Sequence, residues 1–288
     1  LMNTFKLSAG RLLLLSSLTL MSSTLKAEES FKVCADPINP PYSTKEQTGY
    51  ENKIAQLLAS QLGQKLEYTW LPDRIGFIRN TLKAENDNGQ GFKCDVVMGV
   101  PVGSELTDTT IPYLHSSYVL LIAKGRGWDD IQDPLQLSKL DPMRQEKLRI
   151  AMFDRGPGTD WLQQNGLLEQ GVPYQSMTGD SEHNVAMQIA GEIQKGVIDM
   201  VILWGPMAAF VQNQGLKDSY IAIPMQSTPS IKFDYSIAMG VRQSDGKRKQ
   251  QLNALIEKNR EQIGRIIGTY NILQLPLSND KADKKDKD

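Results

Sequence analysis

The sequence has few of the side chains that carry most metal and redox chemistry. It contains 2 histidines, His115 and His183, and 2 cysteines, Cys34 and Cys94. Neither pair has the spacing of a metal site, and the cysteines do not form a C-x-x-C redox motif. No G-x-S-x-G, P-loop, H-E-x-x-H or G-x-G-x-x-G motif occurs. These absences argue against the common hydrolases, nucleotide-binding proteins and metalloenzymes, and we interpret both histidines as structural or solvated.

An excess of charge of one sign is also lacking. Lys and Arg number 32 against 33 Asp and Glu, which leaves a formal charge of −1. Nucleic acid is therefore not expected as a partner, because proteins that bind it usually carry a basic surface. Hydrophobic residues make up 40% of the chain, which is an ordinary share for a packed globular protein.

Long apolar runs are limited to Leu12–Leu20, near the N-terminus. This run follows Lys6 and Arg11 and precedes Leu25–Ala27, which is the layout of a secretory signal peptide. A membrane anchor needs roughly 20 apolar residues, and this run has about half that number. We therefore predict a signal peptide over residues 1–27, export to the periplasm and no stable membrane insertion.

Export to an oxidising compartment changes the expected role of the two cysteines. An even pair in such a compartment favours a structural disulfide between Cys34 and Cys94. Closing a loop of roughly 60 residues would stabilise the fold by about 4 kcal/mol in the chain-entropy model. Redox catalysis and metal binding are the less favoured alternatives.

The rest of the sequence alternates strand-like and helix-like segments. Residues Leu66–Trp70 alternate between apolar and polar, as in a half-buried strand, and Cys94–Val100 is an apolar run typical of a buried parallel strand. The apolar residues of Tyr50–Leu62 fall on one helical face that ends at Gly63. Alternation of this kind predicts parallel α/β sheets, and two such groups suggest two lobes.

Three further helices are predicted from apolar spacing. They cover Arg74–Lys83, Ser181–Lys195 and Leu252–Ile267, and the second is expected to be capped by Asp180 or Ser181.

The loops that follow the predicted strands are rich in aromatic residues, proline and glycine. Ligands of open α/β sheets bind beyond the carboxyl ends of the strands, so these loops predict a shaped cleft with few charges. The alternative is that the tryptophans simply pack between sheet and helix. The residues expected at the cleft are Pro41, Tyr42, Tyr50, Glu51, Trp70, Arg74, Arg79, Val100, Pro101, Gly158, Thr159, Trp204, Gly205 and Pro206.

Several of these segments resemble a known family. The opening strand and turn, with Pro41-Tyr42 and Pro112-Tyr113, are similar to type II periplasmic binding proteins. Five longer motifs are more specific: C-A-D-P at Cys34–Pro37, G-Y-E-N-K-I-A at Gly49–Ala55, Y-T-W-L-P-D-R-I-G-F-I-R-N-T-L at Tyr68–Leu82, C-D-V-V-M-G-V-P at Cys94–Pro101 and I-L-W-G-P-M-A at Ile202–Ala208. Through these motifs the chain resembles the methanol-dehydrogenase-associated J proteins, MxaJ and XoxJ, over about residues 31–275. Glu85–Gly91 is longer than that resemblance leads us to expect.

The resemblance implies a two-lobed type II periplasmic binding protein fold, in which each lobe is a mainly parallel sheet flanked by helices. The lobes would comprise residues 28–120 plus 236–277 and residues 121–235, with a disordered charged tail at 278–288. The chain would cross between the lobes near Tyr118–Ile122 and Phe233–Met239. Cys34 and Cys94 would then begin neighbouring parallel strands.

Two charges of the amino-acid receptors with this fold are missing. Those receptors place an arginine after the third strand to clamp the ligand carboxylate, but Pro101–Thr110 contains no arginine. They also hold the amino group with an aspartate where this chain has Trp204–Pro206. Each charge-assisted contact contributes roughly 1.5–3 kcal/mol, so a free amino acid is not expected as the ligand.

The resemblance implies a non-catalytic accessory protein of methanol oxidation, with no cofactor of its own. The expected partner is methanol dehydrogenase, through its large subunit, with the small subunit as a second candidate. Pyrroloquinoline quinone and Ca²⁺ would belong to that enzyme.

Two other functions remain open at this point. The first is a solute-binding protein for a small neutral or aromatic ligand, stacked on Tyr42, Trp70 and Trp204. Arg74 or Arg79 would then supply an anion contact. The second is an enzyme that uses Glu51 as an acid with a raised pKa, although Glu51 more readily caps or pairs at its helix start.

Overall fold

The computed structural model describes residues 29–176, 179 and 182–277. The predicted signal peptide (1–27), the predicted tail (278–288) and the predicted caps Asp180 and Ser181 lie outside the described residues. Within that part of the chain, no helix has the length and apolar character needed to cross a membrane.

The described chain folds into strands and helices that alternate through most of its length. The strands are β1 (Ser30–Ala35), β2 (Ile38–Asn39), β3 (Ser43–Thr44), β4 (Lys65–Trp70), β5 (Val96–Pro101), β6 (Asp108–Thr109), β7 (Leu114–Ala123), β8 (Ile150–Phe153), β9 (Gly171–Tyr174), β10 (Met200–Trp204), β11 (Tyr220–Pro224) and β12 (Asp234–Val241). The α-helices are α1 (Tyr50–Leu62), α2 (Phe77–Asn80), α3 (Pro142–Gln145), α4 (Pro157–Gln164), α5 (Val185–Lys195), α6 (Gly205–Gln214), α7 (Gly246–Lys258) and α8 (Arg260–Gly268). Two 3₁₀ helices cover Pro134–Lys139 and Leu168–Gln170.

The strands form two groups that meet where β12 pairs with β7. In the first group, which we call lobe 1, β4, β1 and β5 are parallel and β12 is antiparallel to β5. In the second group, lobe 2, β10, β8 and β9 are parallel, and β7 runs antiparallel to β10 and β11. The predicted α/β fold with two mainly parallel sheets is therefore confirmed.

Each lobe has its own core. Helix α1 buries Ile54 and Leu58 against β1, β5 and helices α7 and α8. In lobe 2, residues such as Leu120, Ile150 and Ile202 pack in one cluster, and helix α5 packs on the other face of that sheet through Ile189. Because both sheets are covered by helices, the carboxyl ends of their strands remain as the free edges where a cleft forms.

The predicted disulfide is confirmed. Cys34 in β1 and Cys94, which immediately precedes β5, are bonded, and their Cα atoms lie 5.5 Å apart. Both residues are buried beside Phe77 and Leu82, so the bond is part of a packed cluster.

Three predicted helices differ from the structure. Over Arg74–Lys83 only α2 is helical, because Gly76 adopts a left-handed conformation (φ +91°) and the Thr81 hydroxyl donates a hydrogen bond back to the Phe77 carbonyl. Helix α5 begins at Val185, since the side chain of Asn184 caps the Ala186 N–H at 2.9 Å.

The predicted helix over Leu252–Ile267 is two helices, α7 and α8. They separate at Asn259, where the backbone leaves helical geometry (φ −108°, ψ 17°). The Asn259 side-chain amide donates to the Leu255 carbonyl at 2.8 Å, which stabilises the break.

Candidate functional site

A cavity of about 410 Å³ lies between the two lobes, and we call it the cleft. Lobe 1 contributes the loops that follow β1 and β4 and the last residues of β5, which are the carboxyl ends of its parallel strands. Lobe 2 contributes the end of β10, the start of α6 and the segment that leads into α5. A volume in this range accommodates a small organic molecule.

The floor of the cleft carries three aromatic side chains, Tyr118, Trp204 and Tyr235, which we call the aromatic triad. Tyr118 and Tyr235 lie on β7 and β12, the strands that connect the lobes, and Trp204 is the last residue of β10. Their ring centroids are 5.5–6.4 Å apart, at interplanar angles of 57–77°. All three side chains are half-buried, so part of each ring remains available to a ligand.

Glu51 is a buried carboxyl group in the wall of the cleft. It lies in the first turn of α1, only 8% of its surface is exposed, and its Oε1 accepts hydrogen bonds from Tyr113 (3.2 Å) and Tyr50 (3.4 Å). Burial raises the pKa of Glu51 to about 7, and the two tyrosine hydrogen bonds oppose that rise. Among the described residues, no group donates a hydrogen bond to its Oε2.

Gly99 gives Glu51 the room it occupies. This glycine has φ +72°, and a Cβ at position 99 would lie 2.5 Å from Glu51 Oε1. The backbone N–H of Gly99 also donates to the hydroxyl of Tyr113 at 3.0 Å, so that the hydroxyl is oriented for its bond to Glu51. Both the conformation and the close approach therefore require glycine here.

Two further carboxylates, Asp36 and Asp73, line the cleft. The Asp36 oxygens accept hydrogen bonds from the backbone N–H groups of Ile38 (2.7 Å) and Asp73 (2.6 Å). Desolvation by the surrounding protein, and then the charge of Asp36, raise the pKa of Asp73 to about 6. The expectation of a cleft with few charges was therefore wrong, because Asp36 directly follows β1, Asp73 lies three residues after β4, and the fold brings them together.

The lobes touch across the mouth of the cleft. Asn184 Nδ2 in lobe 2 donates to Asn39 Oδ1 in lobe 1 at 3.0 Å. The Arg74 side chain of lobe 1 lies against Gly179 of lobe 2, where a Cβ would be 3.4 Å from Arg74 Cβ. The structure is therefore one in which both lobes face the same enclosed space.

A second cavity, of about 730 Å³, lies beside the cleft on lobe 1, and we call it the lobe-1 groove. It shares six lining residues with the cleft, among them the carboxylates Asp36, Glu51 and Asp73. The rest of its lining comes mainly from the segment Arg74–Arg79, the end of β5 and Leu106. Ile75 is 91% exposed and Leu106 is 58% exposed. Such exposed apolar side chains in one groove are typical of a surface that contacts another molecule.

The predicted site residues separate into three sets. Tyr42, Glu51, Pro101 and Trp204 line the cleft. Arg74, Arg79 and Val100, together with Glu51, line the lobe-1 groove. The residues that line neither cavity are Pro41, Tyr50, Trp70, Gly158, Thr159, Gly205 and Pro206.

Members of the third set have local structural contacts. Trp70 stacks on Tyr68 with ring centroids 4.4 Å apart, and the Thr159 hydroxyl donates to the Phe153 carbonyl at 2.6 Å. Gly158 packs α4 against Ile202, and Gly205 allows α6 to approach the backbone of β7. Pro41 and Pro206 are buried, and Tyr50 holds Glu51.

Sequence reasoning missed several residues that line the cleft. Tyr118 and Tyr235 lie on strands predicted only as crossings, and Asp36, Asn39 and Asp73 sit within loops from which other residues were chosen. A signal was available, because each loop residue lies within four positions of a strand end. His183 also lines the cleft, whereas His115 contacts Asp234 and the Pro276 carbonyl.

The cleft has no strongly basic side chain. Among the described residues that line it, none is arginine or lysine. A ligand carboxylate would therefore meet three acidic groups and no cationic clamp, which makes the cleft unsuited to a free amino acid.

Comparison with known proteins gives relatives that match about nine tenths of the chain. No protein-family model matches the chain. It is 28% identical over 277 residues to protein MoxJ of Methylorubrum extorquens, covering 89% of this chain and 88% of that protein. It is 25% identical to protein MoxJ of Paracoccus denitrificans, covering 91% and 95%.

The structure is similar to the crystal structure of the periplasmic binding protein XoxJ from Methylobacterium extorquens AM1. The TM-score is 0.67 and the identity 29%, and the match covers 85% of this chain and 99% of that chain. The chain is therefore homologous to the MoxJ proteins and has the type II periplasmic binding protein fold. The resemblance seen in the sequence motifs is confirmed.

Proposed function

We propose that the chain is a periplasmic, non-catalytic accessory protein of methanol oxidation that binds methanol dehydrogenase and supports its assembly, maturation or activity. The observation that carries this proposal is the similarity to the MoxJ proteins over about nine tenths of the chain. The cleft agrees with it, because a receptor for amino acids would need a cationic clamp that the lining residues do not supply.

The lobe-1 groove is the surface we propose for contact with the enzyme. Ile75 and Leu106 offer exposed apolar anchors, and Arg74, Arg79 and Lys83 lie in the same groove. Asp36, Glu51 and Asp73 line the groove as well, so its charges do not favour a partner of one sign. The exposed apolar anchors favour a partner segment that carries an exposed apolar side chain. The groove is continuous with the cleft at Glu51, so the affinity of a partner bound in the groove would depend on how far the two lobes are closed.

The test replaces one exposed apolar residue in the groove. Ile75→Asp should weaken capture of purified methanol dehydrogenase by tenfold or more, because a charge would replace an apolar anchor and leave the enzyme's apolar contact unpaired (about 1.4 kcal/mol per tenfold). Leu216→Asp is the matched control, since Leu216 is 84% exposed and lies outside the groove. Methanol-dependent growth of a deletion strain should be restored by the control and not by Ile75→Asp.

Two outcomes would count against the accessory function. One is that the wild-type protein forms no complex with methanol dehydrogenase at low or physiological salt. The other is that methanol oxidation is unchanged in the deletion strain. Equal capture by the two variants would leave the function standing and remove the groove as its contact surface.

The second candidate function is a receptor for a small solute, and the aromatic cavity of about 410 Å³ favours it. A ligand at about 100 times its dissociation constant would add roughly 2.7 kcal/mol to the free energy of unfolding. A thermal-shift screen against neutral and aromatic metabolites therefore distinguishes this function from the first. A flat response together with complex formation would favour the accessory function.

A further inference from the structure

The charges of the cleft select for a cation. Asp36, Glu51 and Asp73 line it, and no described lining residue is arginine or lysine. Arg74, Arg79 and Lys83 line the lobe-1 groove and not the cleft, and none of them contributes to the shifted pKa of Glu51 or Asp73. An anionic or zwitterionic ligand would place its carboxylate among three acidic groups, whereas a cation would be attracted to all of them.

The aromatic triad supplies the second requirement. Three half-buried rings stand at 57–77° to one another with centroids 5.5–6.4 Å apart, which surrounds one corner of the cleft with aromatic faces and edges. Aromatic faces attract ammonium groups through the ring quadrupole, and tryptophan does so most strongly. Lys232, which does not line the cleft, already has its Nζ 5.1 Å from the Tyr235 ring centroid.

Glu51 supplies the anionic contact, because only one of its two carboxylate oxygens is engaged by hydrogen bonds within the protein. Its residue is 8% exposed and its Oε1 is satisfied by two tyrosine hydroxyls. Its Oε2 accepts no hydrogen bond from any described residue and is not among the fully buried side-chain atoms that lack a partner. Because Glu51 lines the cleft, this oxygen is accessible from the cavity and can accept a contact from a ligand there.

We propose that the cleft binds a small organic cation, an alkylated ammonium compound without a carboxylate, between the aromatic triad and the buried Glu51. The ammonium group would face the rings of Tyr118, Trp204 and Tyr235, and its charge would be balanced by Glu51 with Asp36 and Asp73 beyond it. A bare metal ion fits less well, because no group of three or more His, Cys, Asp or Glu among the described residues is arranged to hold one.

This binding activity goes beyond the accessory function and does not rest on it. A protein that fails to bind methanol dehydrogenase could still bind the cation, and the reverse is equally possible. Separate measurements therefore test the two proposals.

The experiment is isothermal titration calorimetry with the full-length mature protein, dialysed extensively, at pH 8. This pH lies above the value of about 7 that burial gives the pKa of Glu51, so the carboxyl group is charged. The probes are tetramethylammonium, choline and putrescine, with 3,3-dimethylbutan-1-ol as the uncharged isostere of choline and glycine betaine as its carboxylate-bearing analogue. We expect at least one cation to bind, and the isostere and betaine to bind at least about tenfold more weakly than choline.

Two variants locate the site. Glu51→Gln keeps an acceptor for the tyrosine hydroxyls but removes the charge, and Tyr235→Leu keeps apolar volume but removes a ring; each should weaken cation binding by about tenfold or more. Glu169→Gln, which alters an exposed carboxylate outside the cleft, should bind as the wild type does. The circular dichroism spectrum of each variant establishes that it is folded.

Three results would overturn the proposal. They are that none of the three cations binds the wild-type protein, that the uncharged isostere binds as tightly as choline, or that both site variants, shown to be folded, bind as the wild type does.

Discussion

At the scale of the residue, Glu51 is the group whose chemistry the fold changes most. Its carboxyl group is held by Tyr50 and Tyr113 in a space that only Gly99 leaves open, and burial raises its pKa from 4.5 to about 7. The folded protein therefore binds a proton at Glu51 under conditions where the unfolded chain has released it. The free energy of unfolding must then depend on pH through this group.

The first prediction concerns that dependence. Between pH 4.5 and about 7 the folded state holds more protons than the unfolded state, so the contribution of Glu51 to stability falls as pH rises, by about 3 kcal/mol in total. Glu51→Gln removes the effect, so the loss of stability from pH 5 to pH 8 should be smaller in the variant than in the wild type by up to that amount. Urea unfolding at the two pH values measures the difference.

Asp73 titrates in part of the same range, because its pKa is raised to about 6, and its contribution falls with rising pH in the same direction. It is present in both proteins, so the part of its contribution that is independent of Glu51 cancels in the comparison. The part that comes from its charge interaction with Glu51 is removed with the Glu51 charge and belongs to the measured difference. Glu169→Gln is the matched control, and it should follow the wild-type pH dependence. An unchanged pH dependence in Glu51→Gln would show that Glu51 does not retain its proton in the folded protein.

The sequence indicated Glu51 but not its environment. Its place after Gly49 and Tyr50 was visible as the start of a helix, and α1 begins and ends where apolar spacing and Gly63 predicted. Tyr113, which donates to Glu51, is 62 residues away in the chain. No local pattern shows that such a pair meets, because the contact depends on how β5 and β7 flank β12.

At the scale of the element, helix α5 joins local capping to the contact between lobes. Asn184 Oδ1 accepts from the Ala186 N–H at 2.9 Å, and its Nδ2 donates to Asn39 across the cleft at 3.0 Å. The side chain of Asn184 thus caps the N-terminus of α5 and also forms a hydrogen bond between the two lobes.

The second prediction separates these two roles. Asn184→Ala loses both the cap and the bridge, whereas Asn184→Ser keeps an oxygen for the cap and has no amide to reach Asn39. The free energy of unfolding should fall by about 1 kcal/mol in the alanine variant and by a few tenths in the serine variant. Denaturant unfolding gives both values.

Both variants should open the cleft to the same extent. A radius of gyration from small-angle X-ray scattering that increases equally in the two would show that the Asn39 contact holds the lobes together. An increase in neither would mean that this hydrogen bond does not maintain the closed arrangement, and an equal stability loss in both would exclude Asn184 as the cap.

The helices show where sequence patterns fail at this scale. Apolar spacing continued smoothly through Asn259 and through Gly76, yet the structure breaks the helix at the first and begins a short one at the second. At Asn259 the side-chain amide forms a hydrogen bond with the Leu255 carbonyl in the preceding turn. At Gly76 the backbone adopts a left-handed conformation. Periodicity measures which face is apolar and contains no information about such local competition.

At the scale of the whole molecule, the Cys34–Cys94 bond connects β1 to the segment that leads into β5. The bonded residues are 60 positions apart and both are buried. Restricting a loop of that length in the unfolded chain should contribute about 4 kcal/mol to stability.

The third prediction tests this contribution. Replacing both cysteines by alanine should lower the free energy of unfolding by about 4 kcal/mol, and a reducing agent should lower that of the wild type by a similar amount. Urea unfolding with and without dithiothreitol measures both changes. Addition of dithiothreitol to the double variant is the control and should have no effect. The prediction would be contradicted if the free energy of unfolding of the wild type were the same with dithiothreitol as without it, although the unfolded wild-type chain had been reduced.

The sequence by itself determined the alternation of strands and helices, the disulfide and the similarity to the J proteins, because these follow from local periodicity, cysteine pairing and contiguous motifs. It also placed Tyr42 and Trp204 near the carboxyl ends of strands, where a cleft was expected, and Glu51 at the start of a helix. Only the tertiary structure decided that Asp36 and Asp73 join Glu51 in that cleft, that Tyr118 and Tyr235 stand beside Trp204, and that Trp70 faces elsewhere. Those placements depend on the order of the strands and on the direction of their side chains in two sheets. Both are set by contacts between residues far apart in the chain, so no single segment of the sequence predicts them.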